Sequence, residues 1–274
     1  MSYKDLLVVM DASNSSLHAA RCTANLAVEH EAHVTALYLE HNPLLGFADT
    51  QLPPDLLRTH QENLAHLEEA ARTDFEESCR AAGVGAEWRS LPAAQLSTVM
   101  LSARYTDLVA MSAVVSSAGA LVAHRYADSV VMAAGRPVLL FPESCRWDKG
   151  FRQVMVAWEG SREATRAVHD AMPLLEKARK VVIMEVADKD DLDGRDPAPD
   201  IARHLARHGV LTESAHAVNS GAGVAEQLLS ASVDCGADLL VAGAYGHSRL
   251  REYAIGGVTR HLLTHLTIPM LLSH

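Results

Sequence analysis

Basic and aromatic residues are both scarce in this chain of 274 residues. Lys and Arg total 24 against 34 Asp and Glu, which gives a formal net charge of −10, and Phe, Trp and Tyr make up only 5%. A protein that binds the phosphate backbone of DNA or RNA needs a basic face, and no run of Lys or Arg occurs. We therefore expect no nucleic-acid partner.

Cysteines and long apolar runs are also few. The four cysteines, Cys22, Cys79, Cys145 and Cys235, lie far apart in the chain and form no C-x-x-C pair, which predicts reduced thiols. No apolar stretch approaches the roughly 20 residues that cross a bilayer. The N-terminus carries no signal-peptide pattern. These absences predict a cytoplasmic protein with no membrane partner.

Familiar catalytic and metal-binding motifs are missing as well. Neither a G-x-S-x-G nucleophile elbow nor a G-x-x-x-x-G-K-[ST] phosphate loop occurs, and no serine or cysteine has a recognisable base partner in the sequence. His204 with His208 and His261 with His265 have i,i+4 spacing but lack a third ligand. The sequence predicts no catalytic residue, no metal site and no enzyme, with a weak ATPase activity left open.

Short apolar runs alternate with amphipathic segments along the chain. In the first half we predict strands at 6–10, 33–39, 86–90, 108–112 and 138–141, and helices at 16–31, 55–82, 94–104 and 126–134. Three prolines and a glycine within 41–56 predict an irregular excursion. An alternation of this kind predicts a parallel sheet with helices on both faces.

The second half of the sequence repeats the first. VVMDASNSSLHAAR aligns with VAWEGSREATRAVH, so that Asp11 corresponds to Glu159 and Ser13 to Ser161. TDLVAMS matches ADLLVAG, and RPVLLFP matches IPMLLSH. Because the period is half the chain, we predict two duplicated domains rather than a repeat array. The predicted domains are residues 1–145 and residues 150–274.

The glycines near the C-terminus point to an anion site. An apolar run at 239–242 predicts a buried strand, and it leads to Gly243 and Gly246, then to Gly256 and Gly257. Glycine turns let backbone N–H groups point outward, and the helix predicted to begin nearby offers its positive end. Together these groups suit a phosphate.

The first half lacks this arrangement. Ser112 and Val115 occupy the positions of the first two glycines, and a β-branched residue is poorly tolerated at a positive φ. We therefore expect one nucleotide per chain, in the C-terminal domain. Gly246→Val is expected to abolish binding by forbidding the turn, whereas Ser112→Gly is expected to change nothing.

The G-x2-G-x9-G spacing of Gly243, Gly246 and Gly256 resembles the phosphate-binding signature of the universal stress protein (UspA) family, tandem-domain type. ATP-binding members of the family continue with Ser or Thr, where this chain has Gly257, and Thr259 could partly substitute. The resemblance implies two tandem open-sheet α/β domains of the Rossmann-like, adenine nucleotide alpha hydrolase-like class, with five-stranded parallel sheets. It also implies a stress-response protein that binds ATP, alone or with Mg²⁺, with slow or no hydrolysis.

The resemblance also assigns the binding residues. It places Glu159, where Asp is usual, near the ribose and base, and the backbone of Val186 against the adenine. Ala157 and Trp158 would flank the base, although packing in the interdomain region is the preferred interpretation of Trp158. The residues that it places around the phosphates are Gly243, Gly246, His247, Gly256, Gly257, Val258 and Thr259.

Other functions stay open at this point. Gly257 and Glu159 are compatible with a site that has lost ATP, in a protein that serves as a scaffold or binds another small ligand. Adenylate-forming enzymes share the fold class, but they carry S-G-G-x-D-S after the first strand, where this chain has DASNSS and EGSREA. Such an enzyme is therefore the less favoured alternative.

The resemblance further implies how the domains assemble. Family members commonly dimerise through the last strand of the sheet, so we expect residues 138–141 to pair with residues 270–273 inside one chain. This intramolecular pseudo-dimer is expected to leave both edge strands covered. A further homodimer and an unknown protein partner stay open.

Overall fold

A computed structural model describes residues 2–40, 53–91, 96–113, 119–145, 150–187, 198–218, 223–246 and 257–274. The first half contains β1 (Asp5–Met10), α1 (Asn14–His30), β2 (His33–Leu39), α2 (Pro54–Ala82), β3 (Ala86–Leu91), α3 (Leu96–Ala103), β4 (Leu108–Ser112), α4 (Gly119–Ala133) and β5 (Val138–Phe141). The second half contains β6 (Gln153–Ala157), α5 (Arg162–Leu175), β7 (Lys180–Ala187), α6 (Ala198–Arg207), β8 (Thr212–Val218), α7 (Val224–Asp234), β9 (Leu239–Gly243), α8 (Gly257–Thr264) and β10 (Met270–Ser273).

The predicted elements of the first half are present, and most of their ends agree within two residues. The exception is α4, which begins at Gly119 rather than near Tyr126. Residues 119–125, GALVAHR, have a pattern that is compatible with either a strand or a helix, so they contain no signal for the start of a helix. Most of the predicted excursion, residues 41–52, lies outside the described residues.

All ten strands belong to one sheet, in the order β3-β2-β1-β4-β5-β10-β9-β6-β7-β8. Neighbouring strands are parallel except β5 and β10, which are antiparallel with Leu139 opposite Leu271. Each half therefore supplies a five-stranded parallel sheet with the same internal order, and the two sheets join edge to edge. The predicted fold class and the pairing of the two last strands are confirmed, whereas the boundary at 145–150 stays a prediction.

The junction covers β5 and β10, as expected for these two edge strands, and the outer edges of the joined sheet are β3 and β8. Each half has two edges, and the junction covers only one of them. Charged side chains occupy the outer strands instead. Glu87 pairs with Arg89 at 2.9 Å on β3, and Glu213 of β8 pairs with Lys180. Charges of this kind oppose edge-to-edge association.

Hydrophobic layers lie on both faces of the sheet. One layer lies beneath α1, α2, α5 and α6 and includes Leu26, Phe75 and Leu205. The other lies beneath α3, α4, α7 and α8 and includes Val99 and Leu262. Strands covered on both faces are expected to be apolar throughout, as the inner strands are. Within the described ranges, no helix is both long enough and apolar enough to cross a membrane.

The sequence repeat has a structural counterpart at the first helix of each half. Ser13 is the N-cap of α1 and accepts a hydrogen bond from the Ser16 N–H, while Ser161 is the N-cap of α5 and accepts one from the Ala164 N–H. Each serine hydroxyl also donates to the acidic residue two positions earlier, Asp11 or Glu159. The alignment of these two turns is therefore confirmed in three dimensions.

Candidate functional site

The candidate site lies at the carboxyl ends of β6, β7 and β9. In the sheet β6 lies between β9 and β7 and is parallel to both. After β6 the chain proceeds outward to β7 and β8 and then crosses back to β9 on the other side. The gap between β6 and β9 is therefore the topological switch point, where open α/β sheets bind their ligands.

The turn after β6 holds an acidic side chain at the start of α5. The Ser161 Oγ accepts a hydrogen bond from the Ala164 N–H at 3.0 Å, and its hydroxyl donates to Oε1 of Glu159. Glu159 itself is exposed. A carboxylate fixed in this way presents acceptor oxygens to solvent, as recognition of sugar hydroxyls requires.

Gly243 brings α5 close to the end of β9. A Cβ atom at this position would lie 2.5 Å from the Ala164 nitrogen and 2.6 Å from the carbonyl carbon of Glu163. Both are backbone atoms, so a side chain at Gly243 would push the first turn of α5 away from the strand. The glycine is required by this close approach of two backbones.

The left-handed backbone after β9 belongs to Tyr245, with φ 58°, and not to a glycine. Gly246 has no positive φ, and a Cβ there would lie at ordinary contact distances from side-chain oxygens: 3.6 Å from Glu163, 3.9 Å from Ser161 and 4.0 Å from Glu159. From the sequence, Gly246→Val is expected to abolish binding by forbidding the turn, and this reason is wrong because the backbone of Gly246 does not require glycine. The absence of a side chain at Gly246 instead leaves space in front of these oxygens.

Tyr245 contacts both halves of the chain, and sequence reasoning missed it. Its hydroxyl donates to Oδ1 of Asp128 on α4, and both residues are buried. Its N–H lies 3.5 Å from Oγ1 of Thr259 on α8. No sequence signal indicates this role, because a turn pattern does not show which distant residue a side chain reaches.

The start of α8 faces open space. A Cβ at Gly257 would meet no heavy atom within 4 Å among the described residues, and Val258 is exposed. Thr259 is buried, and its hydroxyl oxygen is engaged by the Tyr245 N–H. Gly257 therefore has room for the hydroxyl that the resemblance places there, whereas Thr259 connects α8 to the segment after β9.

The residues assigned to the base separate into two groups. The backbone N–H of Trp158 donates to the Met184 carbonyl at 2.9 Å. The indole ring of Trp158 packs in the layer beneath α5 and α6. This burial agrees with the packing interpretation of Trp158. Ala157 is buried on the opposite layer, and its contact with a base stays a prediction.

The backbone of Val186 points towards the open end of β6. Residues two apart on a strand direct their backbone N–H and C=O groups to the same side. The carbonyl of Met184 faces β6, where it accepts from Trp158, so Val186 directs its groups to that side, beyond the last pairing of the two strands. An adjacent donor and acceptor suit the edge of an adenine, which offers both.

The described part of the site is acidic. The side chains of Glu159 and Glu163 both approach the Gly246 position, and the Arg162 guanidinium lies 3.7 Å from Glu163 but extends into solvent. Carboxylates favour hydroxyl groups and divalent cations over bare phosphate. A nucleotide would therefore place its ribose near Glu159 and its phosphates nearer α8. His247 and Gly256 lie outside the described residues, and so does Val115.

Comparisons with known proteins find a family match in the second half of the chain and similar structures over nearly all of it. Residues 150–274 match the model of the universal stress protein family. A universal stress protein from Archaeoglobus fulgidus DSM 4304 is similar in structure over 98% of this chain and 95% of that chain, with TM-score 0.76 and 16% identity. A functionally unknown protein from Pseudomonas aeruginosa PAO1 is similar over 99% and 92%, with TM-score 0.57 and 14% identity. These identities support a shared fold, and no curated protein matches the sequence.

Proposed function

We propose that residues 150–274, which match the universal stress protein family model, bind one adenine nucleotide, ATP alone or with Mg²⁺, in a regulatory stress response. The proposal rests on the switch point between β6 and β9, where side-chain oxygens converge on the Gly246 position. Glu159, Ser161 and Gly246 bound it on one side. The N-terminal end of α8 offers backbone donors for the phosphates, and the backbone of Val186 offers a donor and an acceptor for the base.

The proposed role is sensing rather than turnover. Rapid hydrolysis needs a group that orients the attacking water and cations that neutralise the transferring phosphoryl group. The described side chains nearest Gly246 are two carboxylates and a serine that already caps α5. Ser161 donates to Glu159, and Arg162 lies 3.7 Å from Glu163, so neither carboxylate is placed as a dedicated base and we expect slow hydrolysis or none.

Calorimetric titration tests the proposal most directly. ATP, ADP, AMP and cyclic AMP would be titrated, with and without Mg²⁺, into protein checked for co-purified nucleotide by its absorbance. We expect ATP to bind with a stoichiometry near one. An absence of heat in protein free of bound nucleotide would contradict the proposal and favour the scaffold alternative. The acidic lining of the site and the missing hydroxyl at Gly257 support that alternative.

A matched pair of variants locates the site. Gly246→Val places methyl groups in the space in front of Glu159 and Glu163, so we expect at least a tenfold loss of nucleotide affinity with the fold retained. Ser112 is the first-half residue equivalent to Gly243, and Ser112→Gly is expected to leave binding unchanged. Binding that survives in Gly246→Val would place the nucleotide elsewhere.

A further inference from the structure

A cluster of two thiols and an imidazole lies outside the nucleotide site. His18 and Cys22 occupy successive turns of α1, and Cys145 follows β5 in the connection between the two halves. One ring nitrogen of His18 and the two sulfur atoms all lie within 4.8 Å of one another. Cys22 and Cys145 are 123 positions apart in the sequence, and the fold brings their sulfur atoms together.

The distance between His18 and Cys22 in this cluster is that of two ligands of one metal ion. The His18 Nε2 lies 3.6 Å from the Cys22 Sγ. Two ligands of a tetrahedral zinc ion, an imidazole nitrogen at about 2.0 Å and a sulfur at about 2.3 Å from the metal, are themselves about 3.6 Å apart. An i,i+4 pair on one helix face supplies two ligands without any backbone movement. The third ligand then comes from a separate segment, as in most protein zinc sites.

We propose that His18, Cys22 and Cys145 bind a zinc ion that ties α1 to the connection between the two halves. Neutral imidazole and thiolate are the nitrogen and sulfur ligands that zinc prefers. Binding forms one Zn–N and two Zn–S bonds, and each thiol still protonated releases its proton to solvent. The proposal is independent of the nucleotide site.

The surroundings favour a site with three protein ligands. Cys22 is buried, whereas Cys145 and His18 are partly exposed, so an ion can enter from solvent. The sulfur atoms of Cys22 and Cys145 lie within 4.8 Å of each other, so one ion can contact both. The nearby Asp238 carboxylate is occupied by the Arg152 and Gln153 N–H groups at 2.7 and 3.0 Å. Among the described residues, no fourth His, Cys, Asp or Glu joins the cluster, so within that part of the chain the fourth zinc position is open to water.

Zinc titration of the full chain tests the proposal. Protein kept reduced and freed of metal with a chelator would be titrated with Zn²⁺ against a chromophoric competitor, and metal content measured by native mass spectrometry. We expect one tightly bound zinc per chain. We expect the affinity to fall roughly 100-fold or more in Cys145→Ser and in His18→Ala, because each removes one of three ligands.

Controls separate this site from other thiols and histidines. Cys235→Ser replaces another partly buried cysteine and should bind zinc as the unaltered chain does. Co²⁺ should give a sulfur-to-metal charge-transfer band that disappears in Cys145→Ser, with circular dichroism showing that the variant is folded. Absence of tight zinc binding, or equal binding by Cys145→Ser, would overturn the proposal. The second result would assign the ion to a surface pair such as His204 and His208.

Discussion

Three glycines of the nucleotide site meet three different physical needs. Gly243 lets the backbone of α5 approach β9, Gly246 leaves space in front of Glu159, and Gly257 leaves open space at the start of α8. A sequence pattern cannot separate these needs, because each requires only the absence of a side chain. The left-handed backbone that glycine usually supplies in such a turn is found at Tyr245.

Replacement of Gly257 by serine is expected to tighten ATP binding. The position has open space, and a serine hydroxyl there could donate to a phosphate oxygen. One such hydrogen bond contributes about 1 kcal/mol, which lowers Kd roughly fivefold. Calorimetry on Gly257→Ser and Gly257→Ala checks this, because alanine changes the helix terminus without adding a donor. Equal affinities for the two variants would show that the phosphates do not reach this position.

His30 is expected to make folding stability depend on pH. It is buried beside Tyr3, and burial, with the positive charges of Lys177 and Lys4, lowers its pKa to about 4. In the unfolded chain a histidine has a pKa near 6.5, so between these values the unfolded state binds more protons. The contribution of His30 is complete above about pH 6.5 and is lost as the pH falls towards 4.

Chemical unfolding measured at pH 7.0 and pH 4.5 tests this expectation. Between pH 7.0 and pH 4.5, the unfolding free energy of His30→Gln should fall by about 2 kcal/mol less than that of the unaltered chain. His265→Gln, at an exposed histidine, should follow the unaltered chain. The pH dependence is compared rather than the absolute stability, since glutamine also changes the packing. Parallel curves for all three proteins would contradict the assignment.

At the scale of elements, the two capped helices give a matched experiment. Ser13→Ala and Ser161→Ala each remove an N-cap and should each cost about 1 kcal/mol of unfolding free energy. Only Ser161 also holds Glu159, so only Ser161→Ala is expected to weaken ATP binding as well. Denaturant unfolding and calorimetry measure the two effects separately. An equal loss of ATP binding in both variants would disconnect Glu159 from the nucleotide.

The elements themselves were largely predictable because their signals are local. The first-half strands are set by residues within a few positions of one another, whereas the need for glycine at 243 comes from the distant backbone of α5. The partnership of Tyr245 with Asp128 and the approach of Cys145 to Cys22 were not predictable. These contacts depend on how α4 and the connection between the halves pack, which no short pattern encodes.

At the scale of the whole molecule, the junction between the halves has near two-fold symmetry. Leu139 lies opposite Leu271, and Val138 and Leu140 lie opposite Leu272 and Met270. The alignment RPVLLFP with IPMLLSH makes Leu139 the equivalent of Leu271. Equivalent residues therefore face each other across a local axis, which is the arrangement of an isologous dimer interface. The full chain satisfies within itself a contact that a separate domain would have to make with another copy.

Residues 150–274 expressed alone are therefore expected to form a homodimer. Removal of the first half leaves β10 as an unpaired edge, and its apolar residues MLLS are buried in the full chain. Antiparallel pairing of β10 with a second copy about Leu271 would restore the missing hydrogen bonds. Light scattering after gel filtration should give twice the mass of the domain.

Leu272→Pro provides the control for this interface. The Ser273 carbonyl accepts from Ala244 on the β9 side, so Leu272, one residue earlier, directs its N–H towards β5. Proline at this position removes a hydrogen bond of the interface and should yield a monomer, with circular dichroism establishing that the domain remains folded. A monomeric unaltered domain at micromolar concentration would mean that β10 requires β5 specifically and does not pair with the β10 of a second copy.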